Sequence, residues 1–192
     1  MVLPISAYGS PVLRKVALPV DPGFPQLEQL IADMWETLYN SSGVGIAAPQ
    51  VNQSLRLFLV DTTQFFNQRE EGDDEFPDAP GLKGVFINAE LLSSGGKDWA
   101  YNEGCLSIPR IREDVVRKEQ VTLRYCNERF EEEVRTFEGI TARVILHEYD
   151  HIEGKLFIDY MKPLRKTMIK RKLDDISRGR IQVDYRMSFP IN

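Results

Sequence analysis

The sequence predicts an α+β domain, with mixed or antiparallel sheets packed around a central helix and a further helix near the C-terminus. Three observations carry this. The elements are segregated in order, with a helical pattern first, strand-like runs in the middle and two helical patterns at the end, where a βαβ protein would alternate them. The chain has 192 residues, 42% of them hydrophobic, which suits a single domain over 1–192 with its own core. Its only two histidines stand four residues apart inside one of the late helical patterns, so that helix is expected at the centre of both fold and function.

The elements follow from their spacing. Leu27, Leu30, Ile31, Met34 and Leu38 recur at helical intervals, with Pro25 near the start and Ser41-Ser42-Gly43 after the end. The loop GVGIAAPQ fills 43–50, and LRLFLVD at 55–61 is a short apolar run that reads as a buried strand. Residues 67–81 are acidic and rich in Gly and Pro, and read as an exposed loop. VFINAELL and the stretch before EGCLSIP read as strands. VVRKEQVTLRY and FEEEVRTF read as a strand pair joined through Cys126 to Arg129, with Val121, Leu123 and Tyr125 alternating inward. A helix is expected from Gly139 to Glu153, closed by Gly154, and a charged one over 164–178.

Composition excludes some classes. A net charge of −5 argues against a broadly cationic DNA-binding surface. No apolar run approaches the roughly 18 residues that a membrane span needs. The first residues, MVLPISAYGS, lack the basic and apolar regions of a signal peptide, and two cysteines are too few for a disulfide framework. The expected location is therefore a reducing cytoplasm.

The chemistry concentrates at His147-Glu148-Tyr149-Asp150-His151. On a helix, positions i and i+4 share a face, so both imidazoles can reach one cation. Glu148 stands where it can meet a metal-bound water without being a ligand. Ile140 and Val144 continue the histidine face, and Ala142, Ile145, Leu146, Tyr149 and Ile152 cover much of the rest, as in a buried helix. A catalytic tetrahedral site takes three protein ligands and leaves one position open. No histidine follows His151, so the third ligand is Cys105, Cys126 or a carboxylate. GVGIAA fits a nucleotide-loop pattern only loosely; it follows a helix rather than a strand and lacks a following Lys-Ser/Thr.

Three blocks stand in order: GVGIAAPQ at 43–50, EGCLS at 103–107 and HEYDH at 147–151. In order and spacing they closely resemble the peptide deformylase family. The resemblance implies that Cys105, His147 and His151 bind one divalent metal, Fe²⁺ in the cell, with Zn²⁺, Ni²⁺ or Co²⁺ able to take its place. It implies Glu148 as the acid–base residue, and Gln50 with the backbone N–H of Leu106 as oxyanion donors. The reaction implied is removal of the N-formyl group from the N-terminal methionine of new polypeptides, releasing formate, with metal-bound water as nucleophile.

The substrate side of that resemblance names Gly43, Val44, Gly45, Glu103, Gly104, Arg112, Ile140 and Val144. Gly43 and Gly45 would let the backbone approach an added peptide strand, while Val44, Ile140 and Val144 suit an apolar methionine slot. Arg143 departs from the apolar residue of compact bacterial members, and its guanidinium is expected to pair or to snorkel away. The basic run Lys162, Arg165, Lys166, Lys170, Arg171 and Lys172 on the last helix is the candidate for a transient ribosome contact. Two other classes compete: a zinc endopeptidase, which would want a downstream third ligand, and a non-enzymatic protein with a structural metal closed by a fourth ligand.

Overall fold

The structure, a computed structural model, describes residues 1–66 and 80–190. In chain order the elements are β1 Ile5–Ser6, α1 Leu27–Asn40, β2 Gly45–Ala47, β3 Leu57–Asp61, α2 Thr63–Phe66, β4 Lys83–Cys105, β5 Ile108–Cys126, β6 Glu132–Glu138, α3 Gly139–Ile152, α4 Pro163–Ser177 and β7 Met187–Ser188. The α+β expectation holds. A five-stranded sheet runs β2-β3-β4-β5-β6 with every pair antiparallel, and β1 pairs with β7 in a small parallel sheet. The acidic segment 67–81 lies outside the described residues except for Pro80 and Gly81.

The two strands expected around VFINAELL and before EGCLSIP are one continuous strand, β4, paired with β5 along most of its length. Register shifts between Ile87 and Glu90, Leu91 and Ser93, and Gly95 and Asp98 interrupt the ladder. Such irregularities bend and twist a hairpin. The half near Ile87 therefore packs in the main core while the half ending at Cys105 reaches the histidine helix. Val121, Leu123 and Tyr125 alternate inward as their spacing predicts.

Helix α3 packs against β2, β3, β5 and β6. Twelve of its fourteen residues are buried, Arg143, His147, Glu148, Asp150 and His151 among them. Its C-terminus is a Schellman closure: Gly154 N–H donates to His151 O at 3.2 Å and Lys155 N–H to Asp150 O at 2.8 Å. Gly154 has φ +70°, and a Cβ there would lie 2.9 Å from the Arg14 backbone, so glycine is required for both conformation and space. Beneath the helix, Phe58 stacks on Phe86 at 4.8 Å within a cluster that includes Val60, Leu123, Phe137, Ile145 and Ile152. Each such aromatic contributes about 1.5–3 kcal/mol by burial. This packing gives the site a rigid floor.

Candidate metal centre

Cys105 ends β4, and only Leu106 and Ser107 separate it from its hairpin partner Ile108. His147 and His151 face it from consecutive turns of α3. The ligand atoms of Cys105, His147 and His151 all lie within 4.8 Å of one another, with Cys105 Sγ 3.3 Å from His151 Nε2. Among the alternatives left open by spacing, the geometry favours Cys105: Cys126 ends β5 and packs against the separate cluster around α1. One sulfur and two imidazoles converging this closely fit a divalent cation with a fourth position left for water or substrate.

Glu103 stands two residues before Cys105, hence on the same face of β4. Its Oε2 accepts from His147 Nδ1 at 2.9 Å, which leaves His147 Nε2 as the nitrogen available to a metal. Arg117 donates to the same carboxylate through Nε at 2.7 Å and Nη2 at 3.0 Å, and through Nη1 to Asp150 at 2.7 Å. Tyr160 O–H also donates to Asp150, at 2.9 Å to Oδ2, and its ring lies under the Arg117 guanidinium. Burial opposes the charge on Glu103, but bonds from His147 and Arg117 outweigh it and hold the carboxyl well below the usual range.

Arg143 pairs rather than snorkels. It is 2% exposed, and its Nη1 donates to Glu103 Oε1 and to Val115 O, each at 2.9 Å. Nη2 donates to Trp99 O, and the guanidinium stacks over the Trp99 ring at 4.8 Å. The two arginines thus face two carboxylates, Glu103 and Asp150, inside the protein. Sequence reasoning missed Arg117, Asp150 and Tyr160. The available signal was Arg117 two residues after Val115, at an inward position of an alternating strand.

Glu148 is 4% exposed and its Oε2 has no hydrogen-bond partner among the described residues. Burial pushes its carboxyl up to about 7; charge on His147 opposes the shift, and Glu103 adds to it. Gly45 gives it room, since a Cβ there would sit 2.5 Å from Glu148 Oε1. Gln50 belongs to a short 3₁₀ turn over Ala48–Val51. Its Oε1 accepts from Ala47 N–H at 2.8 Å, which turns Nε2 towards Cys105 Sγ at 3.5 Å and Ser107 Oγ at 3.4 Å.

A cavity of about 660 Å³ opens over these groups. Gly43, Val44, Gly45, Gln50, Glu103, Gly104, Cys105, Leu106, Arg112, Ile140, Val144, His147 and Glu148 all line it, and Arg143 joins them. Only His151 of the predicted residues does not; it is 1% exposed. Glu103 lines the cavity with its carboxylate committed to the buried network. Arg112 is tied to Asn102, by Nε to Oδ1 at 2.8 Å and by Nη2 to the carbonyl at 2.6 Å. A Cβ on Gly104 would lie 3.0 Å from Arg112 Nη1, so the glycine makes space for that guanidinium. Residues 182–185 also line the cavity, and sequence reasoning did not place them there.

The family model described as polypeptide deformylase matches residues 2–167. A peptide deformylase of Flavobacterium johnsoniae is 50% identical over 189 residues, 98% of this chain and 96% of that protein. One of Christiangramia forsetii is 49% identical over 190 residues, covering 99% and 97%. The crystal structure of a peptide deformylase from Legionella pneumophila superposes with a TM-score of 0.78 at 37% identity, covering 94% of this chain and 98% of that one. With the three motifs gathered around one cavity and matches that span nearly the whole length, the chain belongs to the peptide deformylase family.

Proposed function

We propose that this chain removes the N-formyl group from the terminal methionine of nascent polypeptides in the bacterial cytoplasm, acting as one catalytic domain over 1–192 and using a single divalent metal. The observation that carries the reading is the convergence of Cys105, His147 and His151 within 4.8 Å beside the unpartnered Glu148 Oε2.

The metal fits the donor set, and Fe²⁺ is the ion expected in the cell, with Zn²⁺, Ni²⁺ or Co²⁺ as substitutes. When bound, such a cation supplies Lewis acidity that makes water a nucleophile at neutral pH. The chain's own groups supply the rest. Glu148 accepts the proton that the attacking water loses and passes it to the departing amine nitrogen. Gln50 Nε2 and the Leu106 N–H donate to the oxygen of the formyl carbonyl as it gains negative charge. Val44, Ile140 and Val144 hold the methionine side chain, and the backbone of Gly43 and Gly45 meets the peptide. Glu103 holds His147 at the required angle.

Formate release from formyl-Met-Ala-Ser, by wild type and Glu148→Ala with equal metal content, tests this. The wild type releases formate and the variant loses at least a hundredfold. A metal-loaded wild type that releases none refutes the reading. Iron, zinc, nickel and cobalt assays on anaerobically prepared protein identify the ion.

The ribosome is the proposed transient partner. Leu164 and Met168 are exposed on α4 among Lys162, Lys170, Arg171 and Lys172, a surface suited to an anionic particle. Arg165 and Lys166 are engaged with Glu113 and the Asp159 carbonyl. Salt-dependent cosedimentation with ribosomes, abolished by Lys170→Glu/Arg171→Glu, is the expected result.

A further inference from the structure

The turn between Cys105 and Ile108 has two peptide carbonyls to satisfy, and both are held by the ends of the chain. Ser107 O accepts from Tyr8 N–H at 2.9 Å. Leu106 O accepts from Tyr185 O–H at 2.8 Å, across a separation of 79 residues. Tyr185 lies beyond residue 167, where the family model stops. Its segment is tied down independently of the turn. β1 pairs with β7 through Ile5↔Met187 and Ser6↔Ser188, Ile5 N–H donates to Arg186 O at 2.9 Å, and Ala7 N–H donates to Ser188 O at 2.8 Å. The two termini therefore form one strap, with Tyr8 and Tyr185 as its contacts with the turn.

We propose that Tyr185 is a positioning residue for the Cys105–Ser107 turn: by holding the carbonyl of the Leu106–Ser107 peptide it restrains Leu106, and with it the adjoining Cys105–Leu106 peptide whose N–H the deformylase reading assigns to the oxyanion. The physical basis is the shortness of the turn. The pairing of Cys105 with Ile108 fixes its two ends, so the freedom that remains is rotation of the peptides between them. A hydrogen bond to Leu106 O removes that rotation on one side of Leu106. An oxyanion donor acts only when it lies about 2.7–3.1 Å from the developing charge, so loose aim weakens transition-state binding more than substrate binding. Tyr185 also lines the cavity with Gln182, Val183 and Asp184, but its hydroxyl is directed at the turn.

This inference rests on the proposed deformylase reading and its Leu106 donor, and the test separates the two. Wild type, Tyr185→Phe and Gln50→Ala are loaded with the same metal and compared on formyl-Met-Ala-Ser. Rates are normalised to bound metal, the thermal midpoint is recorded, and calorimetry gives the Kd of the product peptide Met-Ala-Ser. Tyr185→Phe keeps the ring and removes one hydrogen bond. The expected result is a kcat about fivefold lower, the equivalent of one lost bond, with KM and product Kd unchanged within about twofold. Wild-type kcat in Tyr185→Phe, alongside a depressed Gln50→Ala, overturns the inference and leaves the reading intact. A loss of rate that merely tracks a loss of folded or metal-loaded protein also overturns it, because Tyr185 is then a stability contact. No formate from the wild type overturns the reading, and this inference with it.

Discussion

Glu103 and His147 meet at 2.9 Å through a carboxylate that two arginines also hold, so the orientation of a candidate metal ligand depends on a charge network of its own. Glu103→Gln keeps the shape and removes the charge. It is expected to weaken metal binding about 10–100-fold, read by competition with a chelator. Glu103→Ala leaves Arg143 in the interior without its carboxylate partner and is expected to cost about 3–5 kcal/mol in urea unfolding.

Arg143 joins α3 to both long strands through Glu103, Val115 and Trp99. Lysine has one point of charge and cannot make this fork. Arg143→Lys is expected to lose about 1–3 kcal/mol of stability by urea unfolding. KM for formyl-methionyl peptide should rise as well, because the side chain also lines the cavity beside Ile140 and Val144.

Gly45 is required by its neighbour. Alanine there would drive a methyl to 2.5 Å from Glu148 Oε1 and 2.8 Å from its Cγ, so the carboxylate must move. Gly45→Ala should lower kcat by about a hundredfold while the far-ultraviolet circular dichroism is unchanged. An active Gly45→Ala would mean that Glu148 works from a different rotamer.

Tyr125 sets an alkaline limit. Burial, with its bond to Glu133, pushes its hydroxyl up to about 12 from an ordinary 10. A pKa raised on folding contributes stability that is complete below the unfolded value and lost as pH rises through the folded one. Unfolding free energy should therefore fall between pH 10 and 12. Tyr125→Phe should show a shallower fall over that window in urea titrations.

Much was legible without coordinates because it depends on short spacings. An i, i+4 histidine pair must share a helix face, Val121, Leu123 and Tyr125 must share a strand face, and Gly154 marks a helix end. Glu148 sits next to His147, so its place follows from the same turn of helix. The sequence also carried the α+β class and the three motif blocks, since order along the chain is itself the observation.

Tertiary structure decided what depends on residues distant in sequence. The bends that make one strand of 83–105 arise from its pairing with β5. Arg143 could have reached solvent, and only the placement of Glu103, Trp99 and Val115 around it turns a misplaced charge into a balanced pair. Tyr185 carries no local pattern at all. Its contact with Leu106 exists because β1 and β7 bring the two termini together, and pairing between strands so far apart has no signature in the spacing of either one.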